Sequence, residues 1–166
     1  MERRPRRPPT SDAWPYLVRL LKTRPRSEQE VRSRLRGRGV VESEIDRVVS
    51  VAKEAGLIDD RVFARLWIED RVLYHPLARD AVARELSEKG VAPSLVEAAL
   101  QETYPEGEER KLAWRLAQER YERLADLDDV KRERRTLGFL TRRGFAFGLA
   151  REIVRRLARG EHNEQE

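Results

Sequence analysis

The chain has no cysteine, which excludes disulfides and thiolate metal sites. Its histidines, His75 and His162, stand far apart, so neither a zinc cluster nor a histidine-based acid–base pair is expected. Aromatic residues make up only 7% of it, and no stretch alternates β-branched or aromatic residues with polar ones, so no sheet is expected. No apolar run approaches the roughly 20 residues of a membrane span. The Arg/Pro-rich stretch Met1 to Pro9 is not followed by an apolar segment, so no signal peptide is expected. Gly37-Arg38-Gly39 lacks the Gly-Lys-Ser/Thr that completes a phosphate-cradling loop, and no nucleophile stands beside a base. A non-enzymatic protein without cofactor or metal is therefore expected. The lack of cysteine fits a reducing cytoplasm.

What the chain does have is charge, at 39% of its residues, in a helix-favouring background of Leu, Ala, Arg and Glu. The net charge of +5 is unevenly spread: +6 over residues 1–26, zero over 27–55, −4 over 56–106, +6 over 107–160 and −3 over 161–166. Basic ends around an acidic middle suit a polyanion near the ends and a basic protein surface near the middle.

The chain also repeats itself. Leu35-Arg36-Gly37-Arg38-Gly39-Val40 returns 51 residues later as Leu86-Ser87-Glu88-Lys89-Gly90-Val91, and 54 residues after that as Leu140-Thr141-Arg142-Arg143-Gly144-Phe145. Each is a helix ending: Gly takes the left-handed position, the apolar residue after it packs back, and the cation before it meets the negative end of the dipole. Ile45, Val48 and Val49 map to Val96, Ala99 and Leu100, then to Ala150, Ile153 and Val154, each a buried helical stripe. Tyr16 maps to Trp67 and Tyr121. The aromatic residues on these segments, Trp14 and Trp114 included, read as core anchors rather than base-stacking platforms.

Ser27 with Glu30 predicts a capping box, Ser43 an N-cap, and Asp59 an N-cap inside a staple of Ile58 and Phe63. Adjacent helical residues point about 100° apart, so Asp59-Asp60 and Asp128-Asp129 serve caps and dipoles rather than a metal. The expected helices are 13–23, 27–38, 43–55, 59–74, 77–89, 94–103, 108–125, 128–143 and 147–159. The fold class is all-α: three tandem three-helix repeats, 13–55, 56–106 and 107–159, forming an elongated curved array. A disordered Arg/Pro arm, 1–12, precedes them, and an acidic tail, 160–166, follows.

The best polyanion candidates lie in the third repeat. Lys131, Arg132, Arg134 and Arg135 crowd one helix, with Arg142 and Arg143 at its end. Arg151, Arg155 and Arg159 recur every fourth residue on the next helix, opposite Ile153, Val154 and Leu157. Few acidic partners lie nearby, Glu152 being nearly alone, and unpaired cations in a stripe fit phosphate contact. The arginines of 32–38 can instead pair with Glu28 and Glu30. Arg3, Arg4, Arg6 and Arg7 form a basic arm suited to nonspecific DNA attachment.

Gly56-Leu57-Ile58-Asp59-Asp60-Arg61-Val62-Phe63-Ala64-Arg65-Leu66-Trp67-Ile68 resembles the signature of the RecX family of recombination regulators, and Leu137 to Phe145 is similar to that family's GFLxRRGF run. With the three-fold repeat, the resemblance covers roughly 13–159; the arm and the tail fall outside it. It implies a regulator that binds RecA recombinase filaments on single-stranded DNA and restrains their ATPase, strand exchange and growth, in recombination, repair and the SOS response. The implied partners are the RecA filament and DNA, single-stranded and also duplex; a monomer is expected. The candidate contacts are Lys131, Arg132, Arg135, Arg142, Arg143, Arg151, Arg155 and Arg159. The rival reading is a general DNA-binding helical array without a recombinase partner; the net −4 of the middle repeat argues against uniform DNA docking.

Overall fold

The computed structural model describes residues 12–161. Apart from Asp12, Gly160 and Glu161, the arm and the tail lie outside them. Among the described residues the chain is all-helical, with no strand. The helices are α1 Ala13–Thr23, α2 Glu28–Arg36, α3 Glu42–Glu54, α4 Asp60–Leu73, α5 Arg79–Glu88, α6 Pro93–Thr103, α7 Glu106–Glu122, α8 Asp129–Arg142 and α9 Phe147–Ala158. Each of the nine expected helices is present. The largest boundary difference is at α7, whose last turn tightens into i→i+3 bonds, Leu124 N–H to Tyr121 O and Ala125 N–H to Glu122 O.

Local chemistry explains the starts. Ser27 accepts the Glu30 N–H while the Glu30 carboxylate accepts the Ser27 N–H, a complete capping box. Asp59 accepts from the N–H groups of Arg61 (2.8 Å) and Val62 (3.2 Å), and Asp128 accepts from that of Lys131 (3.0 Å). Ser43 is not a cap. Helix α3 begins at Glu42 with Val41 extended before it and no side-chain cap bond, so Ser43 falls in the first turn. Glu42 and Glu44 in that turn compensate the dipole in place of a capping hydroxyl.

The repeat register governs burial. Leu35, Leu86 and Leu140 are fully buried, as are Val31, Val82 and Thr136 one turn earlier, and all nine residues of the third-helix stripe are buried. Each Gly ending makes the same bonds: Gly39 N–H to Arg36 O and Val40 N–H to Leu35 O, then Gly90 to Ser87 and Val91 to Leu86, then Gly144 to Thr141 and Phe145 to Leu140.

The described chain forms two compact units, residues up to Trp67 with Glu85–Glu97, and Ile68–Arg84 with the residues from Ala98 onward. In the first, Ala13 and Leu17 of α1, Val31 and Leu35 of α2, Ile45, Val48, Val49 and Ala52 of α3, and Ile58 form one apolar core. In the second, α7, α8 and α9 pack on one another. They bury Ala113, Trp114 and Ala117, then Leu140, then Ala150 and Ile153.

Each unit contains the same joint. In the first, the Asp60 carboxylate accepts the Glu28 N–H at the start of α2 (2.8 Å), while Ser27 Oγ donates to the Lys89 carbonyl (2.6 Å). Gly90 then lies against Gln29, where an added Cβ would stand 2.5 Å from the Gln29 Cβ. In the second, the Glu109 carboxylate accepts the Arg79 N–H at the start of α5 (3.0 Å), and Ala78 N–H donates to the Arg143 carbonyl (2.9 Å). Gly144 lies there against Ala81, at 2.8 Å for an added Cβ. The middle helix of one trio thus has its start held by a carboxylate and a Gly turn from the next trio. Asp59 caps its own helix, but Asp60 caps an earlier one.

Candidate partner-binding surface

The third trio, α7–α9, places the expected cations in two kinds of setting. Arg132 and Arg143 are half-buried and engaged within the chain. Arg132 Nε donates to the Tyr121 carbonyl (2.7 Å) and its guanidinium lies 3.6 Å over the Tyr121 ring. Arg143 donates to the Pro76 carbonyl (2.6 Å) and lies 4.6 Å over the Phe139 ring. The cation before the turn glycine does the same earlier, Arg38 over Tyr16 and Lys89 over Trp67. Such contacts fasten the fold.

The remaining candidates are exposed. Lys131 pairs with Asp128 (2.8 Å), and Arg159, 73% exposed, has Glu161 at 3.7 Å. Arg135, Arg142, Arg151 and Arg155 are exposed with no ion pair among the described residues. Glu152, the acid nearest the α9 stripe, is taken by Arg110 of α7. Its hydrogen bond from Arg110 holds the carboxyl below its ordinary range. These four arginines do not share one face. Arg151 and Arg155 project beside α8, whereas Arg135 and Arg142, seven residues apart, follow another line of that helix.

Arg151 and Arg155 border a groove of about 340 Å³ between α8 and α9. Val130, Leu137 and Val154 form its apolar part, Arg134 is its third cation and Glu133 its one acid. Val130 is 77% exposed. At the same register of the first trio an ion-pair bridge joins the two helices: Arg32 of α2 donates to Glu28 (2.9 Å) and reaches Asp46 of α3 (2.7 Å). Leu137 stands where Arg32 stands, and Arg151 where Asp46 stands, so the bridge is gone and an open groove remains. Sequence reading of single helices misses Val130 and Leu137; alignment of α2–α3 with α8–α9 reveals them.

Among the described residues no group of three or more acidic or histidine side chains could hold a metal ion, and no helix is long and apolar enough to cross a membrane.

Three family profiles match the chain in order: RecX, first three-helix domain, over residues 13–50; second three-helix domain, over 59–100; and third three-helix domain, over 108–154. The chain belongs to the RecX family. Among its relatives, the regulatory protein RecX of Streptomyces coelicolor is 36% identical over 162 residues, 98% of this chain and 86% of that protein. The regulatory protein RecX of Mycobacterium sp. (strain JLS) is 37% identical over 146 residues, 86% of this chain and 79% of that protein. The crystal structure of RecX from Lactobacillus salivarius has the same fold, with a TM-score of 0.73 at 19% identity, covering 87% of this chain and 94% of that one. A second RecX crystal structure gives a TM-score of 0.71 at 22% identity, covering 85% and 70%. This RecX-family chain is thus a regulatory protein by family, built from the three-helix domains that its repeat register describes.

Proposed function

We propose that this chain binds the RecA recombinase filament on single-stranded DNA and restrains its ATPase, strand exchange and growth, acting in the cytoplasm as a non-enzymatic monomer. The reading extends to a place in recombination, repair and the SOS response. Family membership supports the partner. The observation that carries the surface is the set of exposed cations on α8 and α9, Arg135, Arg142, Arg151 and Arg155, without ion pairs among the described residues in a trio otherwise rich in intrachain contacts. With Lys131 and Arg159 they give α8 and α9 a basic surface, spread over more than one face, that meets recombinase or phosphate. Arg132 and Arg143 support that region by ordering it. The Arg3–Arg7 arm adds nonspecific attachment to single-stranded or duplex DNA.

ATP hydrolysis by RecA on a long single strand, with and without this chain, tests the reading. Inhibition is expected at substoichiometric to equimolar regulator, with co-sedimentation on the filament. No inhibition together with no filament binding at low salt rejects it. Equal affinity for naked and RecA-coated strands would instead favour a general DNA-binding array.

A further inference from the structure

We propose that the α8–α9 groove is a protein-docking joint that receives an acidic, aliphatic-bearing segment of the partner rather than a nucleic-acid backbone; this rests on the filament-binding function proposed above.

The two compact units supply a precedent. In both compact units the start of a trio's middle helix is held by a carboxylate from the following trio, Asp60 at Glu28 and Glu109 at Arg79. The third trio's middle helix, α8, has no trio after it among the described residues. Its start carries Val130 at 77% exposure, beside the groove. The matching residues of α8, Glu133 and Arg134, line the groove, but α8 begins a turn earlier and is capped by its own Asp128, so the third trio keeps the contact face of the joint and not its free helix start.

Charge decides what it receives. Three lining positions changed toward positive relative to the first trio: Gln29 became Arg134, Asp46 became Arg151 and Ser50 became Arg155. Against these cations the groove presents one acid, Glu133. Three cations against one acid suit a partner segment that brings several carboxylates, and Arg holds a carboxylate by both oxygens in forked geometry.

The floor decides between protein and DNA. Val130, Leu137 and Val154 are aliphatic, and among the described residues no aromatic one lines the groove. A sugar-phosphate chain covers such a floor only with its small sugar edges, and a base seeks a flat π-face to stack on. An acidic peptide with a Leu, Ile or Val beside its carboxylates matches both the floor and the rim. A second copy of this chain fits poorly, because the turn at Gly39 that would be offered carries Arg36 and Arg38.

The test uses the full chain, RecA filaments on single-stranded DNA, and a bare oligothymidylate followed by anisotropy. Val130→Asn removes floor area at an exposed site, and Arg151→Glu/Arg155→Glu reverses the rim. Both variants are expected to lose about tenfold or more in filament affinity, with thermal stability kept. Val130→Asn should leave oligothymidylate affinity and its salt slope unchanged. Normal filament binding by the wild type and by Val130→Asn overturns the assignment alone. Loss of oligothymidylate binding by Val130→Asn in proportion to filament binding makes the groove a DNA site and overturns it too. Wild-type self-association abolished by either variant would mark a second copy as occupant, again overturning it. Absence of filament binding by the wild type rejects the function itself, and this assignment with it.

Discussion

The first and third trios share a backbone register and differ in what their charges do. In α2 and α3, Arg32 and Arg36 are bound by Glu28, Glu42 and Asp46, and Lys53 completes the cluster on Glu28. In α8 and α9 the matched positions hold Leu137, Thr141, Arg151 and Ala158, and the guanidinium of Arg151 has no ion pair among the described residues. Common to both are the buried Leu, the stripe of three on the last helix, and the Gly turn. The fold thus requires only the apolar register and the turn, and the polar surface varies independently of them. The first trio pairs Arg32 and Arg36 with its own carboxylates, and the third leaves Arg135, Arg142, Arg151 and Arg155 exposed without an ion pair among the described residues.

The sharpest challenge to a shared register is to remove its Leu. Leu35→Ala and Leu140→Ala should each cost about 2–5 kcal/mol, because both side chains are fully buried and the space cannot collapse. Denaturant unfolding measures this. A cost well under 1 kcal/mol at Leu140 would mean that the third trio does not depend on the position.

Glycine comes next. Gly39 has a φ of 77° and open space at its missing Cβ, whereas Gly144 has a φ of 88° and Ala81 in the way. Gly39→Ala should cost about 1–2 kcal/mol from backbone strain alone. Gly144→Ala should cost about 1 kcal/mol more, since Ala81 is a short side chain that cannot swing aside. Equal costs would show that the joint at Gly144 is loose.

These effects mark how far the sequence could be read. The nine helices were legible because Leu, Gly and the apolar stripe recur at fixed offsets, and local caps such as Ser27 and Asp59 need only neighbours three residues away. Ser43 misled because Glu42 and Glu44 satisfy that helix start without it. The joints were hidden, since Asp60 and Glu109 act on backbone N–H groups some 30 residues distant. The cations were seen as a composition, but Arg132 and Arg143 could not be told from Arg151 and Arg155 without the rings and carbonyls that hold the first two.

Acid should act on the first trio's ion pairs by a smaller amount. Burial pushes the Glu28 and Glu30 carboxyls up, but hydrogen bonds from Lys53 and Arg32 to the first, and from Arg24 to the second, outweigh it and hold both below the usual range. Their stabilisation is therefore full above the unfolded carboxylate range and is lost as pH falls through the folded values. Asp60 runs the other way. Burial raises it against the favourable Glu28 N–H, so its penalty is relieved as pH falls through the raised value. The melting temperature should fall on acidification below about pH 4. Glu28→Gln/Glu30→Gln should flatten that fall by on the order of 1 kcal/mol. Asp60→Asn should steepen it, and no change in slope would show that Asp60 is not strained by burial.

The smallest effect concerns a single hydroxyl. Val31, Val82 and Thr136 are equivalent and fully buried, and Thr136 keeps its Oγ1 satisfied by donating to the Arg132 carbonyl (2.9 Å). That bond returns little, because the carbonyl sits in a helix and the hydroxyl exists only to be satisfied. Thr136→Val should leave the protein equally stable or up to about 0.5 kcal/mol more stable, by exchanging a paired polar atom for a methyl of the same shape. Val31→Thr should cost about 1–2 kcal/mol, since it desolvates a new hydroxyl in the packed core of the first trio. Opposite signs in calorimetry would confirm that both trios use this position for packing alone. A loss above 1 kcal/mol for Thr136→Val would instead mean that the hydroxyl helps hold α8 where Arg132 turns back onto Tyr121.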